Sequence, residues 1–297
     1  VFTYVPATLT ITPRAITVTP DNQTKIYGDL FTAFTGVATG IQASDSITVT
    51  YSSAGALATA TIGTYPITAT LNDPNGRLGN YTVTLNTGTL TVTQRPLIVT
   101  SDSKNKVYGD LFTAFTGSVA GLQAGDVITA SHASAGAAAT AAVGTYPITA
   151  TLNDPGNKLP NYAVTFIPGT LTVTPRDLVV TPADKTKVYG DVFVAFTGTI
   201  TGIQNGDAIT VTYASAGAPA NATVAGSPYP ITATLNAPAG VLASYNVILN
   251  TGELTVTLRS LTVTPDNQVK VFGTTFAAFT GTITGIQAGD VITASGN

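Results

Sequence analysis

The chain has 297 residues and a net charge of −3, with 9% charged residues against about 25% in an ordinary globular protein. That balance offers no basic surface to neutralise phosphates, which argues against nucleic acid as a partner. There is no Cys, so disulfides and thiolate metal sites are excluded, and no run of about 18 apolar residues forms a membrane-spanning helix.

No signal peptide is visible and no Met occurs anywhere, so either a leader has been removed or the chain is a window from something longer. Val1–Thr12 aligns with Ala163–Thr174, which makes residues 1–12 the last strand of a preceding unit. The next elements alternate apolar residues with Thr at period 2. Ile16-Thr17-Val18-Thr19 is the first of these, followed by Ile47-Thr48-Val49-Thr50-Tyr51, Ile67-Thr68-Ala69-Thr70-Leu71, Tyr81-Thr82-Val83-Thr84-Leu85 and Leu90-Thr91-Val92-Thr93. One apolar face and one Thr face per run predicts antiparallel strands packed on one side. Tyr27-Gly28-Asp29, Asn72-Asp73-Pro74-Asn75-Gly76 and Asn86-Thr87-Gly88 supply turns between them. Ala54–Ala60 is broken by Gly and Thr and reads as loop or strand.

The whole pattern then starts again. Tyr27-Gly28-Asp29 returns as Tyr108-Gly109-Asp110, Tyr189-Gly190-Asp191 and Phe272-Gly273-Thr274, at spacings of 81, 81 and 83 residues. A long fixed period means an array of similar units. The predicted divisions are residues 1–12 (the end of a preceding repeat), 13–93, 94–174, 175–257, and 258–297 (the first half of a fourth repeat). Six or seven short strands per unit predict a two-sheet sandwich. Thr93-Gln94-Arg95-Pro96 and Thr174-Pro175-Arg176 leave linkers of one or two residues, which allow little swing. Strands of about ten residues rise roughly 33 Å, so each unit should add about 35–45 Å to a rod. For the two partial ends, either the polypeptide continues in both directions or a neighbour's strand completes the broken unit. Equivalents of Ser134–Tyr162 are missing from both ends, which weighs against the second reading.

Within each unit the recurring residues invite a structural and a functional reading. Tyr27-Gly28, Tyr108-Gly109 and Tyr189-Gly190 read as a core ring followed by a Gly of positive φ, with the Asp closing a turn. The fourth copy keeps only ring and Gly, as Phe272-Gly273, which favours that reading over a ligand loop. Lys25, Lys106, Lys187 and Lys270 fit edge-strand guards against sheet-to-sheet pairing better than isopeptide crosslinks to Asn80, Asn161 or an Asp, which need a nearby acid and an apolar setting; the third unit also has Ser244 where the others have Asn. Phe31 and Phe34, with their copies Phe112/Phe115, Phe193/Phe196 and Phe276/Phe279, read as core packing at a bulge or turn. Asp45, Asp126, Asp207 and Asp290 read as turn caps. The acids are too scattered for a Ca²⁺ cage within one unit, and a Ca²⁺ ion between repeats stays open. His132 is the lone His and stands where the other units have Tyr51 and Tyr213. No Gly-x-Ser-x-Gly turn accompanies it, so no catalytic residues and no cofactor are predicted.

Units with Lys-x-Tyr-Gly-x near the start and Asn-Tyr-x-Val, then Gly-Thr-Leu-Thr-Val-Thr-Pro, at the end resemble the MBG-type repeat domains of the Tyr-Gly-x variety. More broadly they resemble bacterial Ig-like repeats. The resemblance implies tandem Ig-like β-sandwiches, with a β-grasp-like unit as the alternative, in an extracellular protein of the bacterial surface. It implies a stalk or fibre segment whose partners are flanking repeats or copies of itself, or else an adhesive module for glycan or a host protein. It carries over no catalytic residue.

Overall fold

The computed structural model describes residues 1–276 and 279–295. Among these residues the regular elements are strands and short 3₁₀ turns, with no α-helix. The first repeat has seven strands: β1 (Arg14–Pro20), β2 (Gln23–Ile26), β3 (Gly36–Thr39), β4 (Thr48–Ser52), β5 (Gly63–Asn72), β6 (Tyr81–Leu85) and β7 (Gly88–Thr93). The second has β8 (Arg95–Ser101), β9 (Lys104–Val107), β10 (Gly117–Ala120), β11 (Thr129–Ala133), β12 (Gly144–Asn153), β13 (Tyr162–Ile167) and β14 (Gly169–Thr174). The third has β15 (Arg176–Pro182), β16 (Lys185–Val188), β17 (Gly198–Thr201), β18 (Thr210–Ser215), β19 (Tyr229–Asn236), β20 (Tyr245–Leu249) and β21 (Gly252–Thr257). Beyond them, β22 (Thr262–Pro265) pairs with β23 (Gly281–Thr284). Ala54–Ala56, inside the Ala-rich stretch, is a 3₁₀ turn.

Each repeat is a two-sheet sandwich. In the first, β3-β1-β6 faces β2-β7-β5-β4, and the third repeats this order as β17-β15-β20 and β16-β21-β19-β18. The second carries β10-β8-β13 and pairs β11 with β12. The alternating runs put their apolar faces inward. Ile16 and Val18 of β1 are fully buried with Ile47 and Ala69, and Ile67 and Leu90 are also at 0% exposure. Each such side chain contributes about 1.5–3 kcal/mol when fully buried.

The sheets are mixed, not purely antiparallel. β1 runs parallel to β6 from Arg14↔Tyr81 to Val18↔Leu85, and β2 runs parallel to β7. Period-2 alternation is identical for both directions of pairing, so it carries no information about direction. The cause is a shared corner. The chain leaves one sheet after β1 and enters the other with β2, and β6 to β7 makes the same crossing beside it. Asn86 Nδ2 donates to Thr19 Oγ1 at 2.8 Å, and Thr89 N donates to Asn22 Oδ1 at 2.8 Å. In the other repeats Ser103 and Asp184 accept in place of Asn22. Gly88 sits where a Cβ would approach the Pro20 carbonyl oxygen at 2.9 Å.

Lys25, Lys106 and Lys187 lie on the edge strands β2, β9 and β16 but do not guard them, whereas Lys270 is exposed and outside any strand. Lys25, Lys106 and Lys187 are each 6% exposed. Lys25 Nζ donates to the Asp29 carbonyl at 2.8 Å and also to the Leu57 carbonyl. Burial lowers its pKa, against the pull of Asp29. The ammonium therefore ties the Tyr-Gly-Asp turn to the 3₁₀ segment, and its hydrogen bonds go to main-chain oxygens, not to Asn80 or Asn161. The Phe pairs differ as well. Phe31 and Phe34 lie in a loop, half-buried, edge to face at 5.0 Å, and they stand outside the buried core. Spacing of three places both rings on one side because the segment is not a strand.

The chain divides into two compact units, Val1–Lys104 with Thr113–Ala135 and Pro147–Thr170, and Asn105–Phe112 with Gly136–Tyr146 and Leu171–Asn297. The division runs through the second repeat, so each junction between repeats lies whole within one unit.

Replacing Lys25 by Met keeps the apolar stem, removes the ammonium's bonds to the Asp29, Ala56 and Leu57 carbonyls, and leaves the Asp29 carbonyl without a donor, since Phe31 N and Ala60 N still reach the other two. We expect a stability loss of about 1–3 kcal/mol, read as a lower denaturant midpoint. Lys104→Met, at a 3.9 Å ion pair on the surface, should change it by less than about 0.5 kcal/mol.

Candidate functional site: the tyrosine–aspartate junction

The Tyr-Gly-Asp turn is where one repeat meets the next. Thr93 ends β7 and Arg95 opens β8, so only Gln94 separates the two repeats. Gln94 is itself held, donating to the carbonyls of Pro160 and Tyr162 at 3.1 Å each. With the chain pinned there, the turn after β2 rests on the second repeat. Tyr27 and Val92 from the first repeat share one buried cluster with Leu97, Ile128 and Tyr162 from the second.

At the centre sits Asp126. Its Oδ2 accepts from the Tyr27 hydroxyl at 2.9 Å and from the Tyr162 hydroxyl at 2.6 Å. The two rings, 2% and 3% exposed, meet edge to face at 5.6 Å. The Tyr162 oxygen also accepts from Gln123 N at 2.9 Å. Around this sits a second layer. Arg95 Nη1 donates to the Tyr27 carbonyl at 3.1 Å and to Asp29 Oδ1 at 2.9 Å, and its Nε donates to the Gly121 carbonyl. Gly28 has φ +92°, and a Cβ there would meet Gln123 Oε1 at 2.3 Å. The glycine therefore supplies a left-handed turn and room for the neighbour's side chain. Ile62 N donates to Asn161 Oδ1 at 3.0 Å, which commits that buried Asn to the same junction.

The second junction copies the first, and the third keeps its Tyr–Asp and Arg–Asp contacts. Tyr108 and Tyr245 donate to Asp207 Oδ2 at 3.1 and 2.6 Å with their rings 5.5 Å apart, and Arg176 pairs with Asp110. Tyr189 donates to Asp290 Oδ1 at 2.9 Å, and Arg259 reaches Asp191 Oδ1 at 3.3 Å. Asp126, Asp207 and Asp290 are thus acceptors for the preceding repeat, not caps of their own turns. Asp29 and its copies take an arginine from the following repeat. Sequence reasoning missed the arginines as functional groups, although Arg14, Arg95, Arg176 and Arg259 keep the same period.

The site has the chemistry of a joint. Among the described residues no three His, Asp or Glu side chains gather to hold a metal. His132 Nδ1 lies 2.9 Å from Ser101 Oγ inside the second repeat.

Burial first, then the bond to Asp126, pushes the Tyr27 and Tyr162 phenols from their ordinary value of 10.0 up to about 12. Tyr245 is pushed to about 12 by burial and then by its bond to Asp207. A phenol raised on folding stabilises fully below its unfolded pKa and loses that contribution as pH passes the folded one. The first two junctions should therefore hold to pH about 10 and come apart towards pH about 12, seen as cooperative tyrosinate absorbance in the near ultraviolet. Asp126→Ala should cost about 1.5–3 kcal/mol and Tyr27→Phe about 1 kcal/mol. A double-mutant cycle on the pair should give a non-zero coupling energy.

No curated protein matches the chain. Among solved structures it is similar to the I9–I11 tandem of titin at 12% identity and TM-score 0.25, over 82% of this chain and 99% of that one. It is also similar to the N-terminal four Ig domains of Dscam1 isoform 4.4, at 12% identity and TM-score 0.19, over 81% and 73% of the two chains. The model of the MBG domain (YGX type) matches residues 16–91, 97–172 and 178–255, once in each sandwich. Arg95 and Arg176 fall between the matched stretches. With its Tyr-Gly-x turns placed at every joint, the chain belongs to the MBG domain (YGX type) family, in three tandem copies.

Proposed function

We propose that this chain is a structural segment of a bacterial surface protein, a stiff spacer that holds other parts of the molecule at a distance outside the cell. The observation that carries the reading is the use of the signature residues. Tyr, Gly and Asp of each turn are directed at the neighbouring repeat, and the first two joints each bury an apolar cluster beside a linker of one residue. A joint built this way resists bending, because bending exposes two tyrosines and unpairs a carboxylate. Among the described residues no helix is long and apolar enough to cross a membrane.

Lateral association belongs to the same reading. The strands β6, β13 and β20 each end the order of a three-stranded sheet and contain no charged residue. They expose Val83, Leu85, Phe166, Ile167, Val247 and Leu249. Such an edge can accept another strand. A second reading, a module that binds a ligand, draws on a cavity of about 290 Å³ in the second repeat, lined by Val99, Ser101, Thr149, Ala150, Phe166, Ile167 and Pro168. Its mostly apolar lining suits glycan poorly.

Small-angle scattering and negative-stain microscopy of the 297-residue chain should show extended particles of uniform length that associate side by side as concentration rises. Lysines introduced together by Thr84→Lys, Thr165→Lys and Ile248→Lys, one in each of β6, β13 and β20, should abolish the association while leaving the particle length unchanged. Flexible, bead-like particles with a broad spread of lengths would sink the spacer reading.

A further inference from the structure

Every joint has two halves. The donor half is the Tyr-Gly-Asp turn. In the first two joints the acceptor half, on the following repeat, is an Arg, a Gln, an Asp and a second Tyr; the third joint has the Arg, Gln and Asp, as Arg259, Gln287 and Asp290. The first repeat carries a whole acceptor half, formed by Arg14, Gln42, Asp45 and Tyr81, and no donor turn among the described residues rests on it. Tyr81 donates to Asp45 Oδ2 at 2.5 Å and accepts from Gln42 N at 3.1 Å, as Tyr162 does with Asp126 and Gln123. The difference lies in what faces outward. Arg14 Nη1 bonds Gln42 Oε1 at 2.9 Å, whereas Arg95 Nη1 bonds the donor turn. Tyr81 stays half-exposed, whereas Tyr162 and Tyr245 are 3% and 6% exposed. Ile41 and Leu78 pack only against the core of their own repeat, whereas the cluster that Leu122 and Leu159 pack against includes Tyr27 of the repeat before.

We propose that this face of the first repeat is a docking socket for the Tyr-Gly-Asp turn of a further unit of the same family, joined through Val1–Pro13. The occupant follows from continuity with the filled joints. Pro13-Arg14 matches Pro175-Arg176, and residues 1–12 match the residues that form β13 and β14, yet they lie exposed here without strand structure. On docking, Arg14 exchanges Gln42 Oε1 for the turn's carbonyl and carboxylate, Asp45 gains a second hydroxyl, and Tyr81 is covered. The socket discriminates by hydroxyl and carboxylate. A Phe-Gly-Thr turn such as Phe272-Gly273-Thr274 fills the apolar gap but supplies neither group.

Docking here depends on the joint's geometry alone, and it stands or falls separately from the surface-spacer reading. The test places a copy of residues 94–162 ahead of Val1, so that residues 1–12 complete it. Hydrogen exchange followed by mass spectrometry then reads the peptides holding Ile41–Ile47 and Leu78–Tyr81. Their amides should exchange about tenfold slower than in the unextended chain. Asp45→Ala, the milder Asp45→Asn, or Tyr→Phe in the copied turn should each reverse part of that protection. Unchanged exchange on extension overturns the proposal. Protection that appears in the unextended chain as its concentration rises also overturns it, because the occupant is then a second copy.

Discussion

One carboxylate shared by two phenols holds each of the first two joints, and much of the rest follows from keeping that group in place. Asp126 is partly buried, and its carboxylate is held by the hydroxyls of Tyr27 and Tyr162, two members of the buried cluster that also holds Val92 and Leu97. An unpaired carboxylate there would be costly, and two hydroxyl donors make it tolerable. One donor comes from its own repeat and one from the repeat before. The local Tyr162 bond pre-positions the carboxylate, so the incoming Tyr27 meets an acceptor already aimed. The ion pair between Arg95 and Asp29 lies further out, with side-chain exposures of 30% and 55%. It contributes orientation more than energy.

The buried lysine extends this logic into the donor repeat. A Tyr-Gly-Asp turn is of use only if it is rigid, and Gly28 at φ +92° is intrinsically the most mobile point in it. Lys25 binds the carbonyl just beyond that glycine and the carbonyl of Leu57 across the sheet. The turn is thereby fixed from inside its own repeat before it contacts the next. This explains why a chain with so few charges buries an ammonium in each of the three repeats.

Much of this fold was legible in the sequence. The period, five of the seven strands of a repeat, and the inward faces of Ile16, Val18, Ile67 and Leu90 follow from local alternation and turn chemistry. What remained hidden is what depends on partners far apart. The parallel pairing of β1 with β6 comes from a corner that joins residues 67 apart, Thr19 to Asn86 and Asn22 to Thr89. The recurrence of the lysines is plain, but a pattern of positions does not say whether an edge-strand side chain points out or under. The Tyr27–Asp126 bond spans 99 residues and joins different repeats. A one-repeat view of the sequence can only assign such an Asp to its own turn.

The fourth copy, Phe272-Gly273-Thr274, shows how that view misleads. Taken as two independent changes, the loss of hydroxyl and of carboxylate makes both groups look dispensable. The joints give them a common target instead. In the other three copies the hydroxyl goes to the following repeat's Asp and the carboxylate to its Arg. Losing both is therefore a single change, the removal of one set of polar contacts with one neighbour. The ring and the glycine serve other needs, apolar filling and a left-handed turn. They persist because a Tyr-Gly-Asp turn and a Phe-Gly-Thr turn share the same backbone, and differ only in what they can offer the unit beyond.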